Sequence, residues 1–125
     1  MTEKSIVYEK SKKFALRIVR LCKYLEDEKQ EFVIAKQLLR CGTSIGANLA
    51  ESICAVSRAD FLNKNSIAYK ESSETRYWLE LLNDAGYISD QQFASIYQGA
   101  DELFRMLTSI VKTTKDHPQN STRTA

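Results

Sequence analysis

The chain has 125 residues, of which 43% are hydrophobic and 27% charged, and its formal net charge is +2. This length is typical of one domain that buries a core without disulfides or a structural metal. No run approaches the roughly 18 apolar residues of a membrane span, and the charged start MTEKSIVYEKSKKF lacks a signal-peptide apolar region. We therefore expect a cytoplasmic protein without membrane contact. The net charge alone is too small to indicate nucleic-acid binding.

Few helix-breaking residues interrupt the chain, which has four glycines and one proline, and residues that favour helices are abundant. Apolar spacing predicts four helices, over residues 6–26, 31–56, 58–85 and 90–115. Because the connections are short, successive helices should be antiparallel, in an all-α, up-down four-helix bundle over residues 1–115. The polar segment 116–125 is expected to be a disordered tail.

Three helix ends carry recognisable signals. Ser57 is a candidate N-cap of the third helix, and Gly86 is a natural residue just past its C-terminus. Ser89, followed three residues later by Gln92, predicts a capping box at the start of the fourth helix.

The second helix contains the unusual stretch CGTSIGANLAES, which is rich in small and polar residues. Gly42 and Gly46, four residues apart, predict a groove for a neighbouring helix, since close packing offsets the cost of about 1 kcal/mol per helical glycine. We expect this groove to face the small residues Ser72 and Thr75 of the third helix. Asn48 is then a candidate buried residue that fixes the register by hydrogen bonding to Ser72 or Thr75.

The third helix carries a second apolar stripe beside its core-facing one. A bundle buries one face of each helix, so a second stripe predicts a surface for another chain. An alternative is that Trp78 belongs to a wide core face. The residues proposed for an oligomer interface are Ile67, Glu71, Glu74, Tyr77, Trp78 and Leu81.

Charge is unevenly distributed along the chain. Residues 1–23 hold seven basic and two acidic side chains, and residues 65–102 hold two basic and seven acidic ones. In the first helix, four basic residues share one face at spacings of three and four. The stripe is either a solvated face or, repeated around an oligomer, a positive belt for a phosphate backbone. The candidate phosphate contacts are Lys10, Lys13, Arg17, Arg20 and, in the second helix, Arg40.

Residues suited to catalysis or metal binding are scarce. The single histidine, His117, lies in the polar tail, so no nucleophile–histidine–acid set and no Glu-x-x-His pair is available. Cys22, Cys41 and Cys54 are odd in number, form no CxxC pair and fall among apolar helical positions, which predicts buried free thiols. We expect no enzymatic activity, no cofactor and no metal.

Two segments, RCGTSIGANLAES (40–52) and SRADFLNKNSIAYKESSETRYWLELLNDAGYI (57–88), resemble a family of bacterial four-helix-bundle proteins. The family is named after open reading frames in intervening sequences of 23S ribosomal RNA genes. The resemblance implies a non-enzymatic up-down bundle that forms a ring-like homopentamer. It also extends to the accessory protein of diversity-generating retroelements, a basic barrel that associates with a reverse transcriptase and binds nucleic acid. The present chain departs from that branch in its nearly balanced charge, and Ser52 stands where many members have Gly or Ala.

Two functional hypotheses follow. The first is a homo-oligomeric accessory protein associated with RNA or DNA, and with a reverse transcriptase as an implied partner. The alternative is a protein-interaction scaffold without nucleic acid, which would use the acidic surface of the third helix or the rim of the ring.

Overall fold

The computed structural model describes residues 2–116, and within them the chain forms four α-helices and no strand. They are α1 (Glu3–Lys29), α2 (Val33–Ile53), α3 (Arg58–Asp84) and α4 (Asp90–Asp116). The predicted all-α class with four helices is confirmed. The first helix is longer than predicted at both ends, and the second ends before Val56, which lies in the following turn. The predicted disordered tail, apart from Asp116, lies outside the described residues.

Each helix packs antiparallel against the next, and α4 packs back against α1. The residues that lie against each other on neighbouring helices show this arrangement, because the residue number rises along one helix as it falls along its partner. The pairs are Ser11–Gly46 and Ile18–Gly42 for α1 and α2, Arg40–Glu71 and Glu51–Lys64 for α2 and α3, Arg76–Asp101 and Glu80–Tyr97 for α3 and α4, and Lys10–Glu102 and Arg17–Ser95 for α4 and α1. The helices therefore run up-down-up-down around one core.

Aliphatic side chains from all four helices form the core. Burying one such side chain contributes about 1.5–3 kcal/mol, so this core is the main source of stability. The largest fully buried members are Ile18, Leu25, Leu38, Ile45, Leu49, Leu79, Leu82, Leu103 and Leu107.

The helix-end signals act as predicted. The Ser57 hydroxyl accepts a hydrogen bond from the backbone N–H of Asp60 at 3.0 Å. Ser89 and Gln92 form the reciprocal capping box, with distances of 2.8 and 3.0 Å. Gly86 has φ +81°, the left-handed conformation in which glycine costs least.

The start of α2 is capped by a side chain that the sequence analysis missed. The Glu31 Oε2 atom accepts hydrogen bonds from the backbone N–H groups of Ile34 and Ala35, at 2.7 and 3.2 Å. A carboxylate at this position also interacts favourably with the positive end of the helix dipole. Glu31 therefore lies just before α2 as its cap, although it was predicted to be the first residue of that helix.

The glycine groove of α2 receives α1, and the prediction that it faces α3 is wrong. A Cβ atom built on Gly42 would lie 2.8 Å from Cγ2 of Ile18, and one on Gly46 would lie 3.2 Å from the Ser11 hydroxyl. Contact with α3 is made from a different side of α2, where Cys41 Sγ lies 3.3 Å from the Thr75 hydroxyl. The two glycines therefore bring α1 and α2 close together.

The register bond proposed for Asn48 is not formed. Its Nδ2 atom donates to the backbone carbonyl and the hydroxyl of Ser44, at 2.9 and 3.0 Å, both in its own helix. Ser72 and Thr75 likewise donate to carbonyl groups of α3, those of Tyr69 and Glu71. A carbonyl one turn away is always within reach of such side chains, which is why the local bond prevails.

Two of the three thiols are buried, as predicted, and the third is not. Burial raises the pKa of Cys22 to about 12 and that of Cys41 to about 11, because desolvation disfavours the thiolate. Cys54 is exposed, since α2 ends at Ile53 and Cys54 falls in the turn beyond it.

Candidate functional site

Four of the five candidate phosphate contacts lie together on the side of α1 that faces α4. Lys10 forms an ion pair with Glu102 of α4 at 3.3 Å. Arg17 donates to the carbonyl and the hydroxyl of Ser95, at 3.1 and 2.8 Å. Lys13 and Arg20 are exposed and have no ion pair or hydrogen bond within residues 2–116. The stripe thus keeps most of its positive charge.

The seam between α1 and α4 opens into a groove of about 550 Å³, which we call the α1–α4 groove. Arg17 and Arg20 line it from α1, and Gln91, Gln92 and Ser95 line it from the first turns of α4. Its apolar walls come from Leu21, Tyr24, Ile88 and Ile96. None of the lining residues, all within the described part of the chain, carries a carboxylate. The groove is therefore electropositive and partly apolar.

Arg40 is not part of this stripe. Its guanidinium lies between two carboxylates of α3, with Nη1 3.1 Å from Glu71 and Nη2 hydrogen-bonded to Glu74. Glu74 also accepts a hydrogen bond from the Trp78 indole at 2.9 Å. The indole and the guanidinium lower the pKa of Glu74, and the Glu74 bond raises the pKa of Arg40. We call these four residues the Arg40 cluster.

The predicted interface stripe of α3 is only partly exposed. Ile67, Trp78 and Leu81 are half-buried, and Trp78 packs against the core, as the alternative interpretation had it. Tyr77 is 55% exposed and meets the Trp78 ring edge-to-face, with the ring centroids 4.9 Å apart. Glu71 and Glu74 are held by Arg40, so the apolar part of this face centres on Tyr77.

Further exposed apolar side chains were missed by the sequence analysis. Leu16 and Val19 of α1 are 50% and 45% exposed, and Leu39 of α2 is 38% exposed. The sequence could have indicated this for Leu16, because a residue two positions before the buried Ile18 lies on the opposite side of the helix.

Two features are absent from the described part of the chain, a group of metal-ligating side chains and a membrane-spanning helix. Within residues 2–116, no three His, Cys, Asp or Glu side chains are grouped so that they could hold a metal ion. The same residues include no helix with the length and apolar character needed to cross a membrane. His117 lies outside the described residues.

Comparison with known proteins identifies the family of this bundle. A sequence model of the 23S rRNA-intervening sequence protein family matches residues 3–109. The chain belongs to this family. The resemblance inferred from residues 40–52 and 57–88 is thereby confirmed. None of the curated proteins matches the chain.

A solved structure supports both the family and the fold. A protein of unknown function from the S23 ribosomal protein family of Bacteroides thetaiotaomicron VPI-5482 is 51% identical to this chain. The similarity covers 89% of this chain and 99% of the other chain, with a TM-score of 0.86. Neither the family description nor this similar structure names a catalytic activity.

Proposed function

We propose that this protein is a non-enzymatic, homo-oligomeric bundle that associates with nucleic acid through the basic stripe of α1. The observation that carries the proposal is the unneutralised charge along the α1–α4 seam. Lys13 and Arg20 have no ion pair within the described residues, and Arg17 is held by an uncharged serine. Cations three or four residues apart on a helix are neighbours, at a spacing of about 5–6 Å. A row of cations with this regular spacing can contact successive phosphates of a nucleic-acid strand.

Lys10 is expected to join the stripe when nucleic acid binds. Its ion pair with Glu102 joins two side chains that are each nearly half exposed. An exposed pair of this kind contributes only about 0–1 kcal/mol, so a phosphate competes with it readily. Arg40 belongs to its own cluster, and we assign it no phosphate contact.

The assembly that we propose is the ring-like homopentamer implied by the family resemblance. A closed ring is built from heterologous contacts, in which two different faces of each subunit meet. Among the exposed apolar side chains, we assign Leu16, Val19 and Leu39 to one contact face and Tyr77 to the other. Their surroundings differ in charge, since residues 1–23 are mainly basic and residues 65–102 mainly acidic. Sedimentation equilibrium should give five times the chain mass of 14.3 kDa; a monomer at micromolar concentration would contradict this assembly.

A charge-reversal comparison tests the nucleic-acid part of the proposal. The variant Lys13→Glu/Arg20→Glu should lose binding to RNA and DNA in a filter-binding assay. Its matched control is Lys36→Glu/Lys112→Glu, which reverses two exposed lysines on α2 and α4. The control should retain most of the affinity. Equal losses in both variants, or no binding by the native protein at low salt, would overturn the proposal.

The alternative function is a protein-interaction scaffold without nucleic acid. One observation favours it: Ile53 and Val56, at one end of the bundle, are 54% and 91% exposed. The acidic surface is a weaker basis, because Glu71, Glu74 and Asp101 already form ion pairs within the chain. Failure to bind nucleic acid at low salt would favour this scaffold.

From the family resemblance we also propose a reverse transcriptase as partner. Co-expression of the two proteins followed by co-purification would test this partner directly.

A further inference from the structure

We infer that the α1–α4 groove is a pocket for one unstacked nucleotide of a single-stranded nucleic acid. The phosphate lies on Arg17 and Arg20, and the base lies against the apolar walls. This inference rests on the proposed nucleic-acid function. It adds that the nucleic acid is single-stranded and that one of its nucleotides binds in the groove. A volume of about 550 Å³ falls within the range of about 300–1,000 Å³ typical of small-ligand sites.

The two arginines supply the phosphate site. The two hydrogen bonds to Ser95 fix the Arg17 guanidinium at the groove and leave its remaining N–H donors free for a ligand. Arg20, one turn further along α1, has no partner within residues 2–116. A planar guanidinium binds phosphate oxygens in pairs, which a lysine does not. Since no carboxylate lines the groove, nothing inside it competes for the two cations.

The walls supply the base site. Leu21 and Tyr24 are half-buried and supply the accessible apolar surface of the groove, whereas Ile88 and Ile96 are only 4% and 5% exposed. Aromatic side chains stack on all four bases, which gives binding without sequence preference. This agrees with the absence of any groove-reading motif in the sequence.

The amide side chains at the mouth of the groove suit a base edge. Gln92 uses its Oε1 atom in the capping box with Ser89, which leaves its NH2 group as a donor. Gln91 is exposed, and its amide offers both a donor and an acceptor. An unpaired base presents the donors and acceptors of its Watson–Crick edge, which such amides match, whereas in a duplex that edge is occupied by the paired base.

Single strands are favoured over duplexes for a geometric reason. In a duplex the bases are stacked and paired, so only the phosphates would reach the two arginines and the apolar walls would stay empty. In a single strand, bases splay out and enter pockets. Leu16, Val19, Leu39 and Tyr77, proposed for assembly, are not among the lining residues.

The test uses the purified full-length protein and three fluorescent probes at low salt, read by anisotropy. The probes are a mixed-sequence single-stranded RNA of about 12 nucleotides, its duplex with the complementary strand, and an abasic strand of the same length. The single strand should bind about tenfold tighter than either of the others, the size of effect expected for one stacked base.

Variants locate the site. Arg20→Glu should lower the affinity for the single strand about tenfold or more. Lys12→Glu is the matched control, because it makes the same charge change at an exposed position of α1 outside the groove, and it should have a much smaller effect. Tyr24→Leu should reduce the preference for the single strand over the abasic strand while the melting temperature stays close to that of the native protein.

The outcomes separate this inference from the proposed function. Equal affinity for all three probes, or tighter binding of the duplex, would overturn the nucleotide pocket while leaving nucleic-acid association intact. Equal losses in Arg20→Glu and Lys12→Glu would also overturn it. Binding of none of the probes would overturn both.

Discussion

Gly42 of α2 lies directly against Ile18 of α1, so close that a Cβ atom on Gly42 would stand 2.8 Å from Cγ2 and 2.9 Å from Cγ1 of the isoleucine. Ile18 is fully buried, so its side chain has no free space to move into. The two helices therefore pack at a separation that requires glycine at this position.

Replacing Gly42 by alanine should destabilise the protein. Alanine gains about 1 kcal/mol in helix propensity, but forcing a methyl group into a filled core costs about 1–3 kcal/mol. Because the added Cβ would lie only 2.8 Å from Ile18, the cost should be near the upper end, about 2–3 kcal/mol, which leaves a net loss of about 1–2 kcal/mol, measured as a lower urea midpoint. Gly46→Ala is the control: its added Cβ would lie 3.2 Å from the Ser11 hydroxyl, so its effect should be smaller.

A double-mutant cycle isolates the contact itself. Ile18→Ala removes both Cγ atoms that the new methyl group would meet, so Gly42→Ala should cost less in that background than in the native one. Additive effects of the two substitutions, or a Gly42→Ala variant as stable as the native protein, would show that the two helices do not depend on this contact.

The thiols should differ sharply in reactivity. Cys54 is exposed, whereas Cys22 and Cys41 are buried and their pKa values are raised to about 12 and about 11. Because the thiolate is the reactive form, iodoacetamide at neutral pH should label Cys54 rapidly and the other two only after unfolding. Mass spectrometry of the intact protein should show one adduct in the native state and three in urea. Rapid triple labelling of the folded protein would contradict the burial of Cys22 and Cys41.

Glu74 should make the folded protein less stable at acidic pH. The pKa of this carboxyl lies below its usual value of 4.5 in the folded protein, because the Trp78 indole and the Arg40 guanidinium stabilise the charged form. Its contribution is complete above the unfolded pKa and is lost as the pH falls through the folded pKa. The native protein should therefore lose more stability than Glu74→Gln between about pH 6 and pH 3. Urea midpoints at the two pH values measure this; parallel losses in both proteins would remove Glu74 from the account.

Arg40 should contribute more to the stability of the fold than to nucleic-acid binding. Arg40→Ala leaves Glu71 and Glu74 without their shared cation, at a cost of about 1–2 kcal/mol, between the values for exposed and buried pairs. Arg20→Ala, at an exposed position without partners, should leave stability unchanged and weaken binding. Urea titration and filter binding on both variants separate the roles. A stable Arg40→Ala protein with reduced nucleic-acid affinity would show that Arg40 is one of the phosphate contacts, as the sequence predicted.

The local features of the fold were predictable because their interactions span a few residues. Ser57, Gly86 and the Ser89–Gln92 pair act within one helical turn, so the sequence contains the whole interaction. The number of helices follows in the same way from apolar spacing.

The neighbours of each helix face were harder to predict. From the sequence alone, the groove formed by Gly42 and Gly46 could receive either α1 or α3. The rotation of α2 about its own axis decides which of the two helices it faces. That rotation depends on the packing of the whole core, which periodicity along one helix does not determine.

The same limit applies to the candidate site. Arg40 and Glu74 are 34 residues apart in the chain, so their pairing depends on the tertiary structure. The α1–α4 groove closes through Arg17 and Ser95, which are 78 residues apart. From the sequence, the basic stripe was visible, but neither the neutralisation of Arg40 nor the apolar walls beside Arg20 could be inferred.

The salt dependence of binding tests most directly whether the basic stripe of α1 holds a phosphate backbone. Each phosphate contact with a single strand contributes about −0.7 to the slope of log K against log salt. Contacts from Lys13, Arg17 and Arg20 therefore predict a slope of about −2 or steeper for the native protein, and a shallower one for Lys13→Glu/Arg20→Glu. An affinity for single-stranded RNA that does not change with salt, or no binding at about 50 mM salt, would contradict the claim.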